Sequence, residues 1–156
     1  MKHLSIFALC FICLFFGLNS LVAQSANVKT AMDGYAKFGA GDIAGIIASL
    51  DPNVVWVHTG DPALIPFAGT FHGPAEVGLF FEAVGKSVQI TVFNPTNFRE
   101  EGNTVINDIH IEGIVTATGK SYTDNGQMKW TFGPDGNVVR WEVIGDVPGL
   151  TAASKK

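Results

Sequence analysis

His58 is the residue of this chain best placed to act as a base. It follows Val54 and Trp56 at a spacing of two on a short apolar strand, so the three side chains share a face. An imidazole held among apolar groups loses charge stabilisation and stays neutral near pH 7, the state a general base needs. The same position also suits a histidine that simply ends a core strand on a hydrogen bond. Asp61, three residues on, is close enough in sequence to orient or charge-pair His58. As the first half of Asp-Pro it also suits the start of a turn. A second group of titratable residues is Asp108, His110 and Glu112. Alternation puts all three on one face of a strand and Val105, Asn107, Ile109 and Ile111 on the other. The apolar set belongs to the core, so the acidic and histidine set is expected on solvent or at an interface, in cross-strand charge pairs. His58, His72 and His110 are far apart and lack the spacing of metal ligands, so no metal is expected.

Asn107 is the polar member of the inward set and requires a partner, whether ligand, water or backbone. Trp56, Trp130 and Trp141 fall on inward positions. Three indoles there either fill a core or form a flat apolar wall for a hydrophobic ligand. Met128 shares the parity of Trp130, and His72 sits in the loop before a helix.

The elements that must position these groups are legible from periodicity. Val28, Ala31, Met32, Tyr35 and Phe38 recur at helical spacing. Gly39-Ala40-Gly41 ends that helix and Asp42 caps a second one, which carries Ile43, Ile46, Ile47 and Leu50 as far as Asp51-Pro52. Strand 54–58 follows, then an aperiodic stretch, 59–73, read as a loop. Pro74 opens a third helix with Val77, Phe80, Phe81 and Val84 on one stripe. From there the period is two: strands are expected near 87–98, 103–117, 120–132 and 137–146, separated by Gly- and Asn-bearing turns. Helices followed by an antiparallel meander indicate an α+β fold. Residues 147–156 read as a short loose tail.

Residues 1–23 have the pattern of a secretory signal: Lys2 and His3, an apolar run from Leu4 to Leu18, then small and polar residues to Ala23. Cleavage after Ala23 is expected, with a soluble secreted or periplasmic product, residues 24–146 forming its domain. The alternative is an uncleaved anchor, for which the run is short against the roughly 20 apolar residues of a span. Cleavage removes Cys10 and Cys13, and with them any disulfide or thiol nucleophile. It also removes Lys2, leaving nine Lys and Arg against fourteen Asp and Glu, with no basic cluster. Nucleic acid is therefore not an expected partner.

The order of elements, together with particular residues, resembles the SnoaL-like branch of the nuclear transport factor 2-like superfamily, which includes the ketosteroid isomerases. The likeness is carried by Gly41-Asp42, Val55-Trp56, the run Pro66 to Gly73, Thr118-Gly119-Lys120, the run Asp135 to Trp141, and Asp146. It implies a cone-shaped curved antiparallel sheet with helices in its concave face and a deep pocket. Counted onto the isomerase pattern, the catalytic aspartate falls on His58, the oxyanion tyrosine on Gly34 beside Tyr35, and the second carboxyl on Met128. One titratable group in three remains, which argues against steroid isomerisation. What the resemblance leaves is a cofactor-free domain binding a small hydrophobic molecule around Trp56, Tyr35, His72, Asn107, Met128, Trp130 and Trp141. The alternatives are a lyase, isomerase or hydrolase using His58 with Asp61, or a structural domain. The superfamily also implies a possible homodimer through the outer sheet face.

Overall fold

The computed structural model describes residues 25–156; the expected signal segment and both cysteines lie outside them. Helix α1 spans Ala26–Gly39 and starts where the Ser25 hydroxyl accepts the Val28 N–H. Its inward stripe is Val28, Ala31, Gly34 and Tyr35, whereas Met32, expected on that stripe, is exposed. Helix α2, Ile43–Ile47, is capped by the Asp42 carboxylate on the Gly45 N–H. It stops three residues earlier than its apolar stripe suggested, because strand β1 already begins at Leu50 and runs to His58. Pro52 is accommodated there because the β1–β6 register shifts between Leu50 and Val55, leaving the proline where no ladder donor is required.

The stretch read as a loop contains a strand, β2 (Gly69–His72), paired antiparallel with Val55–His58. Four residues, opening on Gly69 and ending before Gly73, both of positive φ, are too few to display a period. Helix α3 (Gly73–Ser87) carries Pro74 in its first turn and buries Val77, Phe80 and Val84. Strands β3 (Val88–Glu101), β4 (Thr104–Val115), β5 (Ser121–Phe132) and β6 (Val138–Ile144) form the meander. The six strands make a curved, unclosed sheet in the order β2-β1-β6-β5-β4-β3, antiparallel except where β1 lies parallel to β6. Register shifts in β3 between Ile90 and Val92 and between Thr96 and Arg99, with Asn97 at φ 53°, bend the longest strand.

The C-terminal residues are helical rather than loose. Helix α4 (Pro148–Ser154) buries Leu150 and Ala153 against β4 and β5. Its first amides are held by Asp124 of β5, which no local signal announces.

One row of paired residues across the sheet organises the core: Phe71, Trp56, Trp141, Trp130 and Val105, one from each of five neighbouring strands. Their parity puts them on the helix-covered side. The opposite face carries the charges. Asp108 accepts hydrogen bonds from Asn97, Gln127 and Arg99, which together hold its carboxyl down at about 2. His110 contacts Asn125 and Glu112, both of which raise its pKa. Burial alone would raise Glu142, but its contacts with Arg140 and Lys129 outweigh that and hold it below the usual carboxylate range.

Candidate functional site

Between the helices and the tryptophan row lies a partly open cavity of about 90 Å³. Gly34, Tyr35 and Phe38 of α1 form one side, Phe80, Phe81 and Val84 of α3 another, and Trp56, Trp141, Trp130 and Met128 the sheet floor. Leu150 of α4 closes an edge, and His58, Tyr122 and Asp124 supply the polar atoms. A second cavity of about 210 Å³ lies between residues 64–67, the end of β4 and α4, with Lys86 as the one titratable residue among the described residues that line it. The smaller cavity is the candidate site because the unusual polar groups converge there.

Gly34 lets α1 lie directly on the sheet. A Cβ there would meet Trp130 Cη2 at 2.9 Å, closer than carbon atoms pack. One residue on, the Tyr35 hydroxyl donates to Asn107 Oδ1 at 2.7 Å and accepts from Trp130 Nε1 at 2.8 Å. Asn107 in turn donates to the Asp108 carbonyl, so the amide predicted to need partners finds them in the protein. Asn107 is fully buried behind the wall and does not line the cavity; it fixes Tyr35, which does. Burial drives the Tyr35 phenol far above its ordinary pKa, against the indole and amide hydrogen bonds, so it remains a neutral hydroxyl.

Trp56 and Trp141 stack with ring centres 4.3 Å apart and planes 16° from parallel, and Trp130 stands edge-on to both. This follows from the parallel pairing of β1 with β6, which brings the two residues side by side. Unlike Trp130, these two indoles have no hydrogen-bond partner among the described residues, though both nitrogens are buried. The Trp141 indole nevertheless acts on the Tyr35 hydroxyl, lowering its pKa against the larger effect of burial.

His58 packs edge-on to Phe67, and its Nδ1 is 2.8 Å from the Thr59 carbonyl oxygen. A carbonyl can only accept, so Nδ1 carries the proton and Nε2 carries the lone pair. Burial lowers the pKa of the ring, opposed by the Thr59 carbonyl and by the charge of Asp124. The geometry therefore offers a neutral imidazole with a basic nitrogen on an aromatic cavity.

Asp61 does not orient this histidine. Its carboxylate accepts the Ala63 N–H and its carbonyl accepts the Leu64 and Ile65 amides, the turn that Asp-Pro also suits. The carboxylate whose field reaches His58 is Asp124, whose Oδ1 and Oδ2 accept the Gly149 and Leu150 amides at 2.7 and 2.8 Å. His72 is likewise off the cavity. It is exposed at the start of α3, where its backbone N–H is accepted by Glu76. Tyr122 and Asp124 were missed among the sequence candidates although their even numbering on β5 matches Met128 and Trp130. Burial, with the charge of Asp124, pushes the Tyr122 phenol up to about 12.

The sequence profile of the SnoaL-like domain matches residues 32–141, most of the elements just described. This chain belongs to the SnoaL-like domain family. Solved structures agree on the fold. An NTF2-like protein of unknown function from Burkholderia pseudomallei K96243 is 25% identical, with a TM-score of 0.76 over 85% of this chain and 100% of its own. TerC, co-crystallised with polyporic acid, is 27% identical with a TM-score of 0.73 over 85% and 100% of the two chains. Rv0760c of Mycobacterium tuberculosis, in complex with estradiol-17β-hemisuccinate, is 15% identical, with a TM-score of 0.64 over 81% and 98%, and shares the fold alone. No curated protein matches the chain. The SnoaL-like fold of this protein thus brings together Tyr35, Trp56, His58, Met128, Trp130 and Trp141 at one cavity, and leaves Asp61, His72 and Asn107 outside its lining.

Proposed function

We propose that this SnoaL-like protein binds a small hydrophobic molecule in the aromatic cavity between α1, α3 and the tryptophan row. The observation that carries the reading is the cavity itself: about 90 Å³, with ten Phe, Tyr or Trp residues among its 21 lining residues. An apolar concavity with a few convergent polar atoms is the usual form of a small-molecule site. Structural neighbours crystallised with polyporic acid and with a steroid ester support the same class of ligand. The test is native mass spectrometry of freshly purified protein, followed by thermal-shift screening of a hydrophobic library. A bound small molecule, or ligand-dependent melting shifts abolished by narrowing the cavity through Val84→Phe, is expected. No bound species and no shift across the library would refute it.

A second reading is favoured by the tautomer of His58, whose Nε2 lone pair suits a general base acting on a bound ligand. Turnover that survives His58→Ala would end that role. The export reading enters as a proposal too: the processed protein should begin at Gln24 when recovered from medium or periplasm. Homodimerisation through the charged outer face of β4–β6 is the corresponding proposal for assembly, tested by sedimentation of the wild type and of an Asp108→Arg variant.

A further inference from the structure

The cavity of about 210 Å³ is the roomier of the two, and its chemistry differs from that of the aromatic one. Its buried lining residues are Ile65, Phe67, Val88, Val115 and Leu150, which give it an apolar floor. Pro66, Lys86, Thr116 and Ala117 also line it but are exposed, so they form its mouth. There the Thr116 N–H donates to the Ser87 carbonyl at 2.9 Å, tying the end of α3 to the end of β4. Phe67, Val88 and Leu150 line both cavities and are the partition between them. The volume exceeds the roughly 150 Å³ that admits benzene in an engineered core, so six carbons fit in front of that partition.

Charge sorts ligands between the two cavities. Among the described residues, Asp124 is the charged group lining the aromatic cavity, which disfavours an anion there. The second cavity has the opposite sign: Lys86 lines it, and no Asp or Glu does. The Lys86 ammonium is paired with Glu82, one turn back on α3 and outside the cavity lining. An ammonium has three donors, and an exposed pair of this spacing holds only weakly, so Lys86 can take a second acceptor. Its alkyl stem can meanwhile rest on apolar surface while the charge stays in water.

We propose that this second cavity binds an unbranched aliphatic carboxylate, with the chain on the apolar floor and the carboxylate at Lys86. The site is separate from the aromatic cavity, and neither reading requires the other. The partition of Phe67, Val88 and Leu150 limits the length of chain that is bound.

The test is calorimetry on the full chain with hexanoate, octanoate, decanoate and dodecanoate, each below its micelle concentration. Octanol and octylammonium are the neutral and cationic comparisons. Affinity is expected to rise about fourfold per added methylene and to level off once the chain end meets the partition. Octanoate should bind about threefold to fivefold better than octanol, and octanol better than octylammonium by a similar factor. Lys86→Met keeps the stem and should remove only the preference for octanoate over octanol; Glu82→Gln should increase that preference. Ala117→Trp, at an exposed position of the mouth, should block octanoate, whereas Val84→Phe, which narrows the aromatic cavity, should leave it within about twofold. A variant that has lost cooperative melting is replaced by the milder Ala117→Phe or Val84→Leu, read by the same pattern. Equal binding of the three head groups, a slope undiminished to dodecanoate, or no binding of any chain would overturn the proposal. So would octanoate binding that survives Ala117→Trp and is lost in Val84→Phe, which would move the chain into the aromatic cavity. None of these results removes the aromatic-cavity reading, which stands or falls on its own library screen.

Discussion

Replacing Tyr35 by Phe removes one oxygen from the interior and leaves two buried groups without partners. In the wild type the hydroxyl donates to Asn107 Oδ1 at 2.7 Å and accepts from Trp130 Nε1 at 2.8 Å. Both neighbours are buried, Asn107 fully and Trp130 to 2% exposure, so water cannot substitute readily. An unsatisfied buried polar group costs about 1–3 kcal/mol, so two of them set an expected loss of roughly 2–5 kcal/mol. The ring itself is retained, and no cavity contribution enters. Tyr122 provides the internal control. It is as buried as Tyr35, each being 8% exposed, but its hydroxyl makes no hydrogen bond among the described residues. Tyr122→Phe should therefore change stability by no more than about 0.5 kcal/mol. Urea denaturation of the two variants gives the comparison, with unchanged m-values as evidence that both states remain comparable. Adding Asn107→Leu to Tyr35→Phe should recover part of the loss, because removing both partners is less costly than stranding one. Equal stability of the Tyr35→Phe and Tyr122→Phe variants would refute the claim that the Tyr35 network holds α1 on the sheet.

The remaining predictions concern charge and the C-terminal helix. His58 has a lowered pKa in the fold, so the unfolded chain takes up a proton first as pH falls below about 6.5. Stability should drop as pH falls through that range, and melting curves of His58→Phe should lack this component. His110 has a raised pKa and works in the opposite sense: its contribution is complete below about 6.5 and fades as pH rises through its folded value. His110→Asn separates the two in the same pH series. Asp124→Ala should cost about 0.5–2 kcal/mol through loss of the α4 cap, and accelerate hydrogen exchange at Gly149 and Leu150 before other amides. Gly149→Ala should undock α4, because the new Cβ would stand 2.2 Å from the Thr123 carbonyl oxygen, a backbone atom that cannot rotate away. Loss of tryptic protection at Lys155 and Lys156 alone would not suffice as evidence; exchange at Leu150 must rise.

What the sequence alone determined was which side of each element faces inward. Alternation and helical spacing are properties of neighbouring residues, so Trp56, Asn107, Met128, Trp130 and Trp141 could be assigned to the covered face from a few positions either side. The same rule put Asp108, His110 and Glu112 outside, and applied further along β5 it would have found Tyr122 and Asp124. The fold class and the family likeness follow from the same local order. What only the tertiary structure decided was which inward residues meet. Tyr35 joins Asn107 from 72 positions away and Trp130 from 95, and Asp124 caps a helix 25 residues later. The stacking of Trp56 on Trp141 depends on β1 lying parallel to β6, a pairing between strands distant in the chain that no local period encodes. Strand β2 and helix α4 are too short to show a period and persist through long-range contacts. Asp61 lies three residues from His58 and His72 just before α3, yet the Asp61 carboxylate serves a turn and the His72 backbone N–H a helix start. Hydrophobic periodicity assigns a face, but the partner of a buried polar atom is set by how distant segments close upon one another.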